Sequence, residues 1–297
     1  MKWRGRGGGG RIEDRRGAGG GLGGGGIPLP MGKAGGGIGG LILLLVIYLL
    51  TGGIPGGGGG GLGVDPGTGG FGQAPAPTEE QLQTPPQDDE AKFVDFVAGD
   101  VDATWKKLFS ESGKTYEQPI VTLYDDQVST GCGTAPASVG PFYCPNDRKV
   151  YLDLTFMKQL QQQLGAQGDF AEAYIIAHEI GHHVQNLLGV MDDVNRSQQE
   201  SPEDANELSV RLELQADCLA GVWGFSALHQ DLLETGDIEE AMNAAQAVGD
   251  DRIQQQSRGR VDPDTFTHGT AEQRATWFKK GFESGEPSSC DTFEGDV

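Results

Sequence analysis

Glycine is distributed very unevenly along this chain of 297 residues. Most of its 50 glycines lie within residues 1–72, and a Pro- and acid-rich stretch continues to residue 90. Glycine-rich sequence loses much conformational entropy on folding and has little apolar surface to bury in return. We therefore expect residues 1–33 and 55–90 to be flexible, disordered segments. Residues 91–297 are long enough to form one domain with a single core.

The charges of the chain are segregated as well. Residues 1–33 carry seven Lys or Arg side chains and two acidic ones, whereas the whole chain has a net charge of −21. A nucleic-acid-binding domain needs a basic face. The acidic domain therefore predicts no nucleic-acid partner, and a highly solvated surface accounts for its charge.

An apolar stretch separates the basic segment from the acidic remainder. Residues 34–54 contain no charged side chain and match the length of about 20 residues that spans a bilayer. The basic residues before them predict a single-pass anchor in the cell membrane, with a cytoplasmic N-terminus and a periplasmic or extracellular domain. A cleaved signal peptide is the alternative. The long N-terminal extension and the lack of an A-x-A site directly afterwards argue against it.

Four cysteines lie in the predicted extracytoplasmic domain: Cys132, Cys144, Cys218 and Cys290. An even number on an oxidising side of the membrane predicts disulfide bonds. Three pairings are possible, and the simplest joins Cys132 to Cys144 and Cys218 to Cys290. Free buried thiols are the alternative. The lack of a C-x-x-C pattern argues against a cysteine zinc site.

Hydrophobic periodicity predicts an α+β domain that is mainly helical. Residues 92–110 have apolar positions at helical spacing, and further helices follow before and through the motif AHEIGHHVQ at 177–185. Residues 119–133 and 140–156 alternate in polarity and are rich in β-branched and aromatic side chains. They predict a small antiparallel sheet with PNDR as a turn.

The motif AHEIGHHVQ places two histidines one helical turn apart. His178 and His182 lie on one face, away from the apolar stripe, and imidazoles at this spacing can bind one zinc ion. Glu179 lies beside that pair, where it can reach a water held by the metal. The pattern H-E-x-x-H thus predicts two ligands and a general base. His183 turns toward the apolar stripe, so we expect it to pack or to form a hydrogen bond.

A catalytic zinc site needs a third protein ligand and an open position. Residues 201–221 predict another helix, begun by Ser201 and Pro202, and Glu213 on this helix could supply the ligand. Asp217, one turn later, could accept the ring N–H of a liganding histidine. A solvated acidic pair is the alternative for these two carboxylates.

Three motifs in this order, AHEIGHHVQ, RLELQAD and FTHGTAEQR, resemble those of the putative neutral zinc metallopeptidase family of bacteria. They are also similar to the wider gluzincin pattern of membrane-bound CAAX-protease-type peptidases. The resemblance covers roughly residues 90–290. It implies a zincin-like metallopeptidase domain with one Zn²⁺ ion per chain. His178, His182 and Glu213 would bind the ion, Glu179 would be the base, and Asp217 would orient a histidine.

The third motif adds a candidate for transition-state stabilisation. Thr270 and Gln273 predict a capping box that begins a helix, and His268 lies just before it on a Gly-containing turn. A comparable gluzincin histidine stabilises the oxyanion, so the resemblance implies this role for His268. We expect Arg274 to point toward the same place and to help position His268. The single predicted anchor departs from the several spans of the CAAX-type enzymes, so a lipid-modified substrate is not implied.

Together these features predict a membrane-anchored zinc peptidase that acts on peptides or proteins and contacts the bilayer through residues 34–54. An edge strand, expected in GPFYCP, could hold an extended substrate. The alternative is a non-catalytic, membrane-tethered zinc-binding module that interacts with other molecules, in which a fourth protein ligand would close the metal site. Glu179 and the lack of an evident fourth ligand favour the enzyme.

Overall fold

The computed structural model describes residues 1–17, 82, 86–136, 139–157 and 168–297. Its strands are β1 (Arg11–Asp14), β2 (Ile120–Tyr124), β3 (Gln127–Thr130), β4 (Gly133–Pro136), β5 (Phe142–Cys144) and β6 (Lys149–Asp153). Its helices are α1 (Asp89–Glu111), α2 (Asp169–Leu188), α3 (Val190–Glu200), α4 (Ala205–His229), α5 (Asp237–Ala247), α6 (Asp250–Arg258) and α7 (Ala271–Ser284). The described chain is therefore α+β and mainly helical, which confirms the predicted class.

Four of the strands form a mixed sheet in the order β1–β2–β6–β5. β2 runs parallel to both β1 and β6, whereas β5 and β6 pair antiparallel across the predicted PNDR turn. β3 and β4 form a separate antiparallel hairpin. The prediction of an antiparallel sheet is therefore wrong for β2. Alternating polarity reports which face of a strand is buried, but it carries no information on the direction of the neighbouring strand.

Helix α2 lies at the centre of the domain. It packs against α1, α4, α5 and the β5–β6 end of the sheet. Helices α4 and α7 approach each other closely at two glycines. A Cβ added to Gly281 would lie 1.9 Å from the carbonyl oxygen of Cys218, and one added to Gly221 would lie 2.1 Å from that of Phe278. This close crossing holds α7 against the helix that carries Glu213.

Residues 1–17 belong to the folded domain, so the prediction of one flexible segment over residues 1–33 is wrong for them. β1 pairs with β2 and buries Ile12. The glycine run at 7–10 crosses α1 at Gly99, where an added Cβ would lie 2.5 Å from the backbone nitrogen of Gly9. These glycines let two backbones meet, a use that composition alone does not distinguish from flexibility.

The two described segments that flank residues 18–81 meet in space. Arg16 forms an ion pair with Asp88 at 2.6 Å, and the backbone N–H of Gly17 donates to Asp125. No helix within the described ranges is long and apolar enough to cross a membrane. The predicted anchor, residues 34–54, lies outside those ranges, as do residues 55–81 and 83–85 of the predicted linker.

Replacing Gly99 with Ala tests the packing of the first segment. In an open helix interior this change would stabilise by up to about 1 kcal/mol, because Gly is the weaker helix former. Here the added methyl group meets the backbone of Gly9. We therefore expect Gly99→Ala to lower the free energy of unfolding by roughly 1–3 kcal/mol in a denaturant titration.

Lys106→Ala on the exposed side of α1 is the matched control, and it should change the free energy of unfolding by no more than about 0.5 kcal/mol. A Gly99→Ala protein that is more stable than the native one would contradict the packing of residues 7–10 against this helix.

Candidate metal centre

Helix α2 positions both histidines of the central motif. Ile176, Ile180 and Val184 are buried along one of its faces, while His178 and His182, exposed by 6% and 4%, project from another. Side chains at i and i+4 stand one above the other on a helix. The two imidazole centroids are accordingly 4.8 Å apart.

Helix α4 places Glu213 opposite these two rings. Its Oε2 lies 3.2 Å from Nε2 of His178, and its Oε1 lies 3.5 Å from Nε2 of His182. Small residues occupy the crossing of the two helices: a Cβ added to Gly181 would lie 3.1 Å from the carbonyl oxygen of Ala216. The short interhelical distance lets the carboxylate of Glu213 reach both histidines.

The three residues form a group that could hold a metal ion. One ligand atom from each of His178, His182 and Glu213 lies within 4.8 Å of the others, and all three residues are buried. Two imidazole nitrogens and one carboxylate oxygen form a donor set typical of catalytic zinc. Within the described part of the chain no fourth His, Cys, Asp or Glu joins this group. The residues present therefore fit a zinc ion that keeps a position for water or substrate.

A second acidic group among the described residues has a different environment. Asp169, Asp237 and Glu240 also offer three clustered carboxylates. The α-amino group of Met1 lies 2.5 Å from Asp169 and 3.4 Å from Asp237. An ammonium group thus balances part of this negative charge.

Asp217 connects the histidines of α2 to α7. Its Oδ1 lies 2.8 Å from Nδ1 of His178, so that the ring turns Nε2 toward Glu213. Arg274 donates from Nε to Oδ2 at 2.8 Å and from a terminal nitrogen to Oδ1 at 2.9 Å, and Tyr174 donates its hydroxyl to Oδ1. Burial raises the pKa of Asp217, but Arg274 and His178 outweigh burial and lower it. The carboxylate is therefore kept ionised as an acceptor.

The same carboxylates make His178 more basic than an ordinary histidine. Burial lowers the pKa of His178, but Asp217 and Glu213 outweigh this effect and raise the pKa to about 9. Burial also raises the pKa of Glu213, yet the histidines lower it well below its usual value. Because metal ligands must be deprotonated, a metal binding at His178 has to displace a proton.

Glu179 is buried beside the candidate ligands and retains an unused acceptor. It is 6% exposed, and its Oε2 has no hydrogen-bond partner. Burial raises its pKa, although the positive charges of His178 and His182 act in the opposite direction. A buried carboxylate oxygen without a partner is energetically costly and rare in folded proteins. Such an oxygen with a raised pKa suits a group that takes a proton from a water molecule.

The loop before α7 brings His268 to the site, where the residue is 7% exposed. Asp250, at the start of α6, accepts hydrogen bonds from the backbone N–H groups of residues 267–269. Its Oδ1 lies 3.3 Å from Nδ1 of His268. Burial lowers the pKa of His268, but Glu213 and Asp250 outweigh it and raise the pKa. Asp250 therefore fixes both the loop and the ring.

Two further residues singled out by the sequence, Arg274 and His183, have contacts that can be compared with their predicted roles. The sequence predicts that Arg274 helps to position His268, but the two shortest hydrogen bonds of Arg274 go to Asp217, and Asp250 contacts His268 instead. His183 turns away from the ligands, as predicted. Its Nδ1 is 3.0 Å from the hydroxyl of Tyr143, and its Nε2 is 2.6 Å from a backbone carbonyl oxygen.

The cysteines follow the simplest of the three pairings. Cys132 is bonded to Cys144 and Cys218 to Cys290, and none of the four is free. The second bond ties the C-terminal tail to α4, directly after Asp217.

Sequence reasoning missed three residues that contact the site. Tyr174 precedes His178 by one helical turn, and Gln185 follows His182 by three residues, with its Oε1 2.8 Å from Nδ1 of His182. Helical spacing could have found both of them. Asp250 is 18 residues before His268 in another helix, and no local pattern links the two.

Comparison with known proteins identifies relatives over the whole chain. The model of a family described as "Putative neutral zinc metallopeptidase" matches residues 1–293. The uncharacterized protein YpfJ of Escherichia coli (strain K12) is 49% identical over 300 residues, which cover 99% of each chain. The uncharacterized protein Rv2575 of Mycobacterium tuberculosis (strain H37Rv) is 45% identical over 254 residues, which cover 78% of this chain and 84% of the relative. No solved structure matches.

Proposed function

The chain belongs to the putative neutral zinc metallopeptidase family, and on that premise we propose that it hydrolyses peptide bonds at one zinc ion held by His178, His182 and Glu213. The observation that carries this proposal is the convergence of their ligand atoms beside the unpartnered carboxylate oxygen of Glu179. Zinc bound at such a site polarises the scissile carbonyl and lowers the pKa of a water molecule toward about 7.

Glu179 acts as the general base in this proposal. Its buried carboxylate takes a proton from the attacking water and delivers it to the leaving amine. This role requires an acceptor that no other protein group occupies, which is the state of its Oε2. Its raised pKa favours the uptake of the proton from the attacking water.

His268 stabilises the oxyanion that develops on the scissile carbonyl. Asp250 accepts a hydrogen bond from Nδ1 of the ring, so Nε2 is the nitrogen left to face the substrate. The raised pKa of His268 favours the doubly protonated ring, which can donate from both nitrogens. An extended substrate lies along β5, the edge strand of the sheet next to α2.

The rival proposal is a zinc-binding interaction module without catalysis. Such a module would hold the metal with a fourth protein ligand and would have no use for a buried base. The described residues offer three candidate ligands and an unpartnered oxygen, Oε2, on Glu179, and both features favour the enzyme.

Zinc content and hydrolysis respond to different residues under this proposal. Glu213→Ala removes a ligand and should lower bound zinc markedly. Glu179→Gln should keep zinc and the fold but lose hydrolysis by a factor of about 10² to 10⁴. Metal analysis of each purified protein, coupled to cleavage of a random peptide library, measures both effects.

Glu207→Ala, on the exposed side of the same helix α4, is the control and should bind zinc and cleave as the native protein does. Stoichiometric zinc in both His178→Ala and Glu213→Ala would refute the ligand set. Full activity of zinc-loaded Glu179→Gln would refute the base.

His268→Ala should retain zinc and unfold at the native temperature. A donor aimed at a developing oxyanion contributes mainly in the transition state, so kcat should fall by about 10² to 10³ while KM changes little. His229→Ala, an exposed histidine at the end of α4, is the matched control. Loss of zinc from His268→Ala would make His268 a ligand and favour the module, and unchanged turnover would exclude its role.

The membrane contact is a separate part of the proposal. We propose that residues 34–54 contact the bilayer, because that stretch is apolar and free of charge. The paired strands β1 and β2 belong to one sheet, and a sheet cannot be divided by a bilayer. We therefore propose that residues 1–17 and the domain share one side of the membrane, an arrangement that differs from the single-pass anchor with a cytoplasmic N-terminus expected from the sequence. The two disulfides favour an oxidising, extracytoplasmic side.

Thiol labelling of intact cells tests this arrangement. No native cysteine is free, so Arg4→Cys and Asp192→Cys each introduce one reactive thiol at an exposed position. We expect a membrane-impermeant reagent to label both variants. Labelling of Asp192→Cys together with protection of Arg4→Cys before lysis would restore the N-in orientation, and protection of both would place the domain in the cytoplasm.

A further inference from the structure

The two zinc-binding histidines have partners of different charge. Nδ1 of His178 contacts the carboxylate of Asp217 at 2.8 Å, whereas Nδ1 of His182 contacts the side-chain amide of Gln185 at 2.8 Å. Gln185 is fully buried, with 0% exposure. An amide oxygen and an amide nitrogen would impose opposite tautomers on the ring, so the orientation of this amide matters.

The neighbours of Gln185 fix that orientation. Its Nε2 donates to the backbone carbonyl oxygen of Leu212 at 2.7 Å and to Oε1 of Gln215 at 3.0 Å. A backbone carbonyl oxygen only accepts, so a flipped Gln185 amide would place two oxygens against each other. Oε1 of Gln185 must therefore face His182, and Nδ1 of His182 must carry the hydrogen.

Gln215 is fixed in the same way. Its Nε2 donates to the backbone carbonyl oxygen of Cys290 at 3.0 Å, so its own Oε1 is turned toward Gln185. Cys290 is in turn bonded to Cys218 of the same helix α4. A directed chain of hydrogen bonds thus runs from the ring of His182 through two glutamines to the disulfide-tied tail.

We propose that Gln185 is the positioning residue for His182: it holds the neutral ring in the Nδ1–H tautomer and leaves the lone pair of Nε2 for the zinc ion. Nε2 is the ring atom that faces Glu213, at 3.5 Å. This inference rests on the proposed metal centre. The amide orients the ring without adding a further charge to a site that already buries Glu179, Glu213 and Asp217.

The test compares zinc affinity and ring tautomer in the full chain. Gln185→Met keeps the volume of the side chain but removes its hydrogen bonds. Zinc affinity, measured by competition with a fluorescent chelator, should fall about 10- to 100-fold, as is typical when the partner of a liganding histidine is lost. In the zinc-free protein at mildly alkaline pH, ¹⁵N NMR should find His182 as the Nδ1–H tautomer. In Gln185→Met the Nε2–H tautomer should gain population.

Gln254→Met is the matched control. Gln254 is also a buried glutamine, exposed by 3%, but it bonds Thr265 and Asp262 away from the ligands. Its replacement should leave both zinc affinity and the tautomer of His182 unchanged. An equal loss of affinity in Gln254→Met would attribute the effect to general loosening and overturn the proposal.

Native affinity and a native tautomer in a folded Gln185→Met protein would also overturn it. The zinc content of His178→Ala tests the metal centre itself. If this variant keeps stoichiometric zinc, the proposed centre fails. If it loses zinc while Gln185→Met binds zinc like the native protein, only the role of Gln185 fails.

Discussion

The buried ion pair between Asp217 and Arg274 is the contact on which the geometry of the site depends. It joins α4 to α7, and through Asp217 it also fixes Tyr174 and His178 of α2. Three helices thus meet at one carboxylate. Breaking a buried pair of this kind is strongly destabilising, because the remaining charge has no compensation. The pair therefore holds together the helices that carry the candidate ligands, and it keeps Asp217 ionised for His178.

The sequence predicted the site best where functional residues lie one turn apart on the same helix. The turn-by-turn relation of His178 to His182, and of Glu213 to Asp217, follows from the helix repeat alone. The capping box of Thr270 and Gln273 is formed by both expected hydrogen bonds. Contacts between side chains on different helices were harder to predict from the sequence. Arg274 lies 57 residues after Asp217, and the choice between Asp217 and His268 as its partner is made by the crossing of α4 and α7.

Residues 1–17 show that amino-acid composition alone does not predict whether a glycine-rich segment folds. Glycine lowers the stability of an isolated segment, but the same residue permits the contact of Gly9 with Gly99. Only the three-dimensional structure distinguishes these uses. The parallel pairing of β1 with β2 is likewise a non-local event, since it joins Arg11 to Ile120. The match to the family model also includes residues 1–17, as expected if this segment belongs to the domain.

X-ray absorption spectroscopy of the zinc-loaded full chain tests the central claim, an open zinc site built from two histidines and one glutamate. We expect two imidazole ligands at about 2.0–2.1 Å, oxygen donors in the remaining positions and no sulfur. One of these oxygens should be displaced when a hydroxamate or another small zinc-binding inhibitor is added. A shell with a third imidazole or a sulfur ligand, unchanged by the inhibitor, would contradict the account and indicate a closed, structural zinc site.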